Sequence, residues 1–311
     1  MKWRADTPYF CRVIQYITIM DRKEFIKKGF LGTALFAATG AMPGVVKNNI
    51  DELKELDIIG FNHLPEPNSK IMNNIVIHKS ESRGLANHGW LKSRHTFSFA
   101  NYYNPERMHF GVLRVLNDDI VDPGMGFSKH PHDNMEIISI PLEGDLEHKD
   151  SMGNVTVIQN GDIQVMSAGT GITHSEYNKN RDKQVKFLQI WMFPNKRNVQ
   201  PRYDQISLNA ADRQNKLQQI LSPSQDDDGV WVHQNAWFHL GTFDQGKQAE
   251  YALKDIRNGV YAFVISGTFT INDQALESRD GMGIWDIHTL SLVSEAPGSE
   301  ILLMEVPMQI S

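Results

Sequence analysis

Two stretches of the chain repeat one pattern. Short runs of Val, Ile, Leu and aromatic residues, mostly four to nine long, are bounded by Gly, Asn, Asp or Pro. In the first stretch the runs are His109–Leu116, Glu136–Leu142, Val155–Gln159, Ile163–Met166 and Val185–Phe193. Gly144-Asp145, Gly153-Asn154 and Asn160-Gly161-Asp162 are turn signals between them. In the second stretch they are Trp231–His233, Trp237–Phe243, Val260–Ile265, Thr268–Ile271, Met282–Trp285, Leu290–Val293 and Ile301–Val306. The segment 196–228 between the stretches is polar, contains Pro201, Pro223 and the run Asp226-Asp227-Asp228, and reads as a connector with one short helix near Ala210–Leu217. Many short strands with regular turns predict an all-β chain of antiparallel barrels or jelly rolls rather than βαβ units. The expected organisation is a domain at 70–195 and a second of the same architecture at 229–311.

The first 45 residues do not share this pattern. Basic residues around Arg22, Lys23, Lys27 and Lys28 precede Gly29–Gly40, a run without charge. A basic region before a short apolar run is the layout of an export signal, and the run is too short for a stable membrane span. Arg22-Lys23-Glu24-Phe25-Ile26-Lys27 is similar to a twin-arginine signal with Lys23 in place of the second arginine. This predicts export to the periplasm; without a working signal the protein is cytoplasmic. Small residues at Ala37, Ala38 and Gly40 suit cleavage, and Met20 is an alternative start. Residues 43–311 carry 24 Lys/Arg against 34 Asp/Glu, an acidic balance that argues against nucleic acid as a partner.

The single cysteine, Cys11, excludes an intrachain disulfide and a thiolate metal site. Candidate chemistry therefore falls to histidine and carboxylate. His130-Pro-His132 follows the glycine-rich turn Gly124-Met-Gly126, and His174-Ser-Glu176 follows Gly169-Thr-Gly171. In an extended chain residues two apart point to the same side, so each pair converges. Pro131 donates no ladder hydrogen bond, which places it at a sheet edge or strand start. The two pairs on facing strands give three imidazoles and one carboxylate around a single centre. That donor set suits one divalent transition metal per chain: Fe(II), or Mn, Ni, Cu, Co or Zn. It leaves positions open, unlike a closed structural zinc site.

These residues carry a resemblance. Gly124-(x5)-His130-x-His132-(x3)-Glu136 and Gly161-(x5)-Ser167-Ala-Gly169 followed by His174-(x3)-Asn178 are similar to the two cupin motifs. Arg94–Tyr103, Leu142–Gly153 and Met166–Glu176 resemble the pirin family, with similarity from about His78 to Pro307. The resemblance implies a double cupin with its metal in the N-terminal barrel, held by His130, His132, His174 and Glu176. Glu136 is a rival ligand by strand parity; the family pattern assigns the coordinating carboxylate to Glu176 and leaves Glu136 to orient an imidazole. The resemblance further implies a metal-dependent quercetin 2,3-dioxygenase acting on a flavonol-like aromatic substrate with O2, in which Glu176 accepts the substrate's hydroxyl proton. The alternative it implies is an iron-binding regulatory module that contacts a protein partner without catalysis.

His148 reads as a turn-orienting residue, and Arg94 and His95 as structural. Phe97, Phe99, Tyr102 and Tyr103 read as core or pocket wall. His233, His239 and His288 are spaced too irregularly to share a centre, so the second domain is expected to carry no metal.

Overall fold

Strand after strand in the second half alternates its two faces between two separate apolar cores. In β17 (Asn258–Ser266), Tyr261, Phe263 and Ile265 enter one cluster while Val260, Ala262 and Val264 enter another. In β22 (Ser299–Pro307), Leu302, Met304 and Val306 face the first, and Ile301 and Leu303 the second. Period-two alternation with both faces apolar makes a sheet covered on both sides.

The computed structural model describes residues 74–310; the signal-like segment 1–45 and Cys11 lie outside the described residues. The described chain is almost wholly β, in four antiparallel-rich sheets, as the sequence pattern predicts. It opens with β1 (Asn74–His78), then forms a first barrel from β2 (Gly84–Asn87), β3 (Leu91–His95), β4 (Leu113–Val121), β5 (Gly126–His132), β6 (Glu136–Glu143), β7 (Leu146–Asp150), β8 (Val155–Ile158), β9 (Asp162–Ser167), β10 (Ile172–Asn178), β11 (Val185–Met192) and β12 (Arg202–Ser207). Its larger sheet has the order β12-β9-β6-β11-β4-β3-β2, and its smaller sheet β5-β10-β7-β8.

The second barrel takes β13 (Leu217–Ser222), β14 (Val230–Trp231), β15 (Trp237–Phe243), β16 (Gln248–Ala252), β17, β18 (Thr268–Ile271), β19 (Gln274–Glu277), β20 (Gly281–Trp285), β21 (Thr289–Ser294) and β22. Its sheets run β1-β20-β17-β22-β15-β13-β14 and β16-β21-β18-β19.

Four sequence expectations need correction. Residues 74–78 do not belong to the first barrel: β1 pairs with β20 from Asn74↔Trp285 to His78↔Gly281. Residues 196–228 are not a strand-free connector, because β12 extends the first barrel on β9 and β13 joins the second on β15. The expected helix near 210–217 is only a 3-10 turn, Ala210–Asp212, whose Asn209 side chain accepts from Ala211 N at 3.1 Å. Leu217 already begins β13, where burial of Ile220 and Leu221 outweighs helix propensity. The run at 109–116 is also displaced. Phe110 and Leu113 exchange backbone hydrogen bonds at 2.9 Å around a tight turn, and the strand starts only at Leu113.

The two large sheets share one core. Leu116, Ile138, Leu188 and Ile190 of the first barrel lie in the same cluster as Phe238, Phe263, Leu302 and Met304 of the second. Leu188 is fully buried there. Leu188→Ala is expected to cost about 2–5 kcal/mol, seen as a lower urea midpoint at unchanged slope.

The interiors differ. The cluster inside the second barrel is apolar, from Phe243 to Leu303. Inside the first, Leu91, Val121, Leu146, Ile158, Val185 and Phe187 form an apolar plug. On β11 the residues that follow Phe187 on the same side are Gln189 and Trp191, and the buried side chains beside them are polar: Ser139, His132, His174 and Glu176. That polar end is where the candidate chemistry collects.

Candidate metal centre

β5 is the edge of its sheet and pairs only with β10, so Pro131, which cannot donate to a ladder, sits where its missing N–H costs nothing. The register puts His130 directly opposite His174 and His132 opposite Ile172. An irregularity between His174 and Glu176 shifts Glu176 to face Phe127. The close strand approach requires Gly126: a β-carbon there would lie 2.2 Å from the carbonyl oxygen of Glu176. Gly169, with φ of 49°, turns the chain into β10; a β-carbon on it would lie 2.0 Å from Val199 O.

The result is a compact triangle of rings. His130–His174 centroids are 4.4 Å apart, and His130–His132 and His132–His174 both 4.9 Å. One nitrogen from each ring lies within 4.8 Å of the other two, a spacing that a single ion can bridge. His174 and Glu176 form a second such group with His148. Among the described residues both groups lie in the first barrel, and His233, His239 and His288 are in neither.

The donor chemistry fits a metal. His130 Nδ1 lies 2.8 Å from the carbonyl of Ser128, which holds the proton on Nδ1 and leaves Nε2 as a lone pair. His132 Nε2, both ring nitrogens of His174 and Nδ1 of His148 are buried without a hydrogen-bond partner. Orphaned buried nitrogens are costly unless something occupies them. Burial, then the neighbouring His130, pushes the His132 pKa down to about 3. Burial, then the neighbouring His130, His132 and His148, hold His174 far below the ordinary histidine range. Both rings therefore stay neutral, the state that ligates.

Glu176 is buried and fixed from two sides. Ser139 Oγ donates to its Oε1 at 3.1 Å, and Gln189 Nε2 reaches Oε1 at 3.1 Å and Oε2 at 2.9 Å. The rival Glu136 is in neither ligand group. Its carboxylate is engaged elsewhere. Oε2 accepts from Ser167 Oγ at 2.7 Å and from the backbone N–H of His233 at 3.3 Å, tying the first barrel to the second.

Burial raises the Glu136 pKa to about 7, against the weaker opposing pull of those hydrogen bonds and Arg202. The folded state therefore keeps a proton that the unfolded chain releases. Its stabilising share is complete below about pH 4.5 and is lost as pH rises toward 7. Glu136→Gln is expected to gain about 1–3 kcal/mol on wild type between pH 5 and pH 8. Denaturant unfolding at the two pH values checks this, and a pH-independent difference would contradict it.

The aromatic expectations divide. Phe97 packs on Tyr261 at 5.5 Å in the core shared by the barrels, and Tyr103 is exposed. Phe99 instead packs on Trp191 at 5.4 Å, and Trp191 sets its edge against His132 at 4.8 Å. The Trp191 indole N–H is buried without a partner. Sequence reasoning misses Gln189, Ser139 and Trp191, since an isolated residue in a strand gives no sign of what it faces.

Known proteins match this arrangement. The family model named Pirin matches residues 77–192, and the model for a quercetinase C-terminal cupin domain matches residues 219–306. A quercetin 2,3-dioxygenase of Escherichia coli strain K12 is 43% identical over 233 residues, 75% of this chain and 99% of that protein. A pirin-like protein of Caulobacter vibrioides is 38% identical over 225 residues, 71% of this chain and 95% of its own. Among solved structures, a bacterial pirin from Escherichia coli in complex with nickel(II) aligns with a TM-score of 0.71 at 40% identity, covering 76% of this chain and all of that one.

Proposed function

This chain belongs to the pirin family, with its double-cupin fold, and we propose that it is a metal-dependent dioxygenase for a flavonol-like aromatic substrate, with His130, His132, His174 and Glu176 as the ligand set. The observation that carries the reading is the convergence of three imidazoles, two of which (His132 and His174) have buried, vacant nitrogens, beside a buried carboxylate that Ser139 and Gln189 hold in place. The naming of relatives as quercetin 2,3-dioxygenases supports it at the level of substrate class. Fe(II) is the proposed ion; the same donors accept other divalent ions.

A bound divalent ion would supply Lewis acidity, lowering the pKa of a substrate hydroxyl placed at the open positions. The rest is the work of the chain. Glu176 takes the hydroxyl proton on the carboxylate oxygens that Gln189 and Ser139 hold fixed. Because its amide contacts preset its orientation, little reorganisation accompanies the transfer. Trp191 and Phe99 give a flat apolar wall beside His132 for an aromatic ring. The free Trp191 N–H offers a donor to a substrate oxygen.

The test is anaerobic loading with Fe(II), then admission of O2 and quercetin, with metal content and loss of flavonol absorbance recorded together. About one metal per chain with turnover is expected. One metal without turnover on quercetin or related flavonols would remove the dioxygenase reading and leave the regulatory alternative.

A further inference from the structure

His148 lies outside the two pairs that announce a metal in the sequence, yet it is fully buried and sits on β7 directly across from Glu176. Its Nε2 is 3.2 Å from Asp150 Oδ2, and both side chains are sealed from solvent. Asp150 is itself tightly held. Met152 N and Asn154 N donate to Oδ1 at 2.9 and 3.1 Å, and Asn154 Nδ2 donates to Oδ2 at 2.8 Å. Burial alone would raise the Asp150 pKa, but the hydrogen bonds from Asn154, His148 and the backbone outweigh it and leave it lowered. An ionised carboxylate only accepts, so His148 carries its proton on Nε2 and presents Nδ1 as a lone pair.

That lone pair is buried and unpartnered. It falls within the group formed with His174 and Glu176, and the His148 and His174 rings are 5.3 Å apart. His174 supplies the complementary need. Both its nitrogens are buried without a partner, and a metal can take only one. The other must carry a proton and find an acceptor.

We propose that Asp150 and His148 form the outer relay that fixes the tautomer and ring plane of His174 once a metal takes its other nitrogen: Asp150 accepts from His148 Nε2–H, and the His148 ring, whose Nδ1 makes no hydrogen bond here, closes to accept from the N–H of His174. His148 is thus a positioning residue, reached from the metal only through His174. The inference rests on the metal reading above. It adds residues from β7, a strand that carries none of the proposed ligands.

Asp150→Asn tests it without leaving a cavity. With Oδ1 occupied by two backbone donors, the amide nitrogen takes the Oδ2 position, where it displaces the Asn154 Nδ2 bond and, beside His148 Nε2, forces the His148 proton onto Nδ1. His148 then offers His174 a donor in place of an acceptor. In His148→Asn, the amide oxygen can stand where Nδ1 stood.

The experiment titrates Ni(II) against a competing chelator in the full chain, with Cu(II)-loaded samples read by pulsed electron paramagnetic resonance to count coordinated imidazoles. Expected is one metal per chain throughout, affinity lowered about 10- to 100-fold in His148→Ala and Asp150→Asn, and recovery in His148→Asn. The imidazole count should stay at the wild-type value in His148→Ala, while the remote-nitrogen coupling of one ring changes. Unchanged affinity in both Asp150→Asn and His148→Ala would overturn the relay. So would loss of one coordinated imidazole in His148→Ala, which would make His148 a ligand. A wild-type chain that takes up no metal would instead sink the metal reading itself, and the relay with it.

Discussion

His132→Ala and His174→Ala each remove metal from the protein while leaving it folded. Each ring lies at a corner of a triangle with sides of 4.4 to 4.9 Å, so deleting one leaves two imidazoles and no alternative nitrogen at that corner. Affinity is expected to fall by more than about 100-fold, beyond what outer partners of a metal site carry. The cores that dominate stability, at the shared sheet face and inside the second barrel, contain neither histidine. Circular dichroism should therefore match wild type while metal analysis falls toward zero.

An acid-stability change should accompany the loss in the metal-free protein. The His132 pKa lies near 3 in the fold, so below about pH 6.5 the unfolded chain binds a proton that the folded one refuses. Stability falls as pH drops through that window, and His132→Ala should lose its share of that slope. Retention of full metal stoichiometry in both variants would remove these residues from the site.

Glu176→Gln is expected to lower kcat, per bound metal, by about 100- to 10,000-fold, the range of a positioned proton acceptor. The change keeps the length of the side chain and one oxygen, which in the Oε1 position still accepts from Ser139 and Gln189, while the Gln189 bond to Oε2 is lost. What disappears is the negative charge and the capacity to take a proton. Normalising to bound metal separates that loss from weaker loading. A variant with wild-type turnover per metal would assign the proton to another group.

The local parts of the site are legible in the sequence and the non-local parts are not. His130 and His132, like His174 and Glu176, share a side because strand side chains repeat every two residues, which one sequence displays directly. That β5 and β10 are partners, with His130 facing His174, follows from pairing across more than 40 residues, and the glycine turns only hint at it. His148 reads as a turn residue because nothing near it in the chain announces that β7 will lie against β10. The same limit explains β1. Residues 74–78 fall inside the expected first domain at 70–195, and only three-dimensional pairing assigns them to β20, over 200 residues away. Residues 202–207 and 217–222 read as connector because their mixed polar composition hides strands that are buried only along part of their length. The strands Trp237–Phe243 and Thr268–Ile271 are located to the residue, since turn-forming residues mark their ends: Asp244 after the first, and Gly267 and Asn272 around the second.

The most direct measurement is anomalous diffraction from a crystal of the protein soaked in Ni(II), recorded at the nickel edge. A single strong peak within bonding distance of His130, His132, His174 and Glu176 is expected. A peak elsewhere in the chain, or none between those three rings at full soaking, would contradict that ligand set.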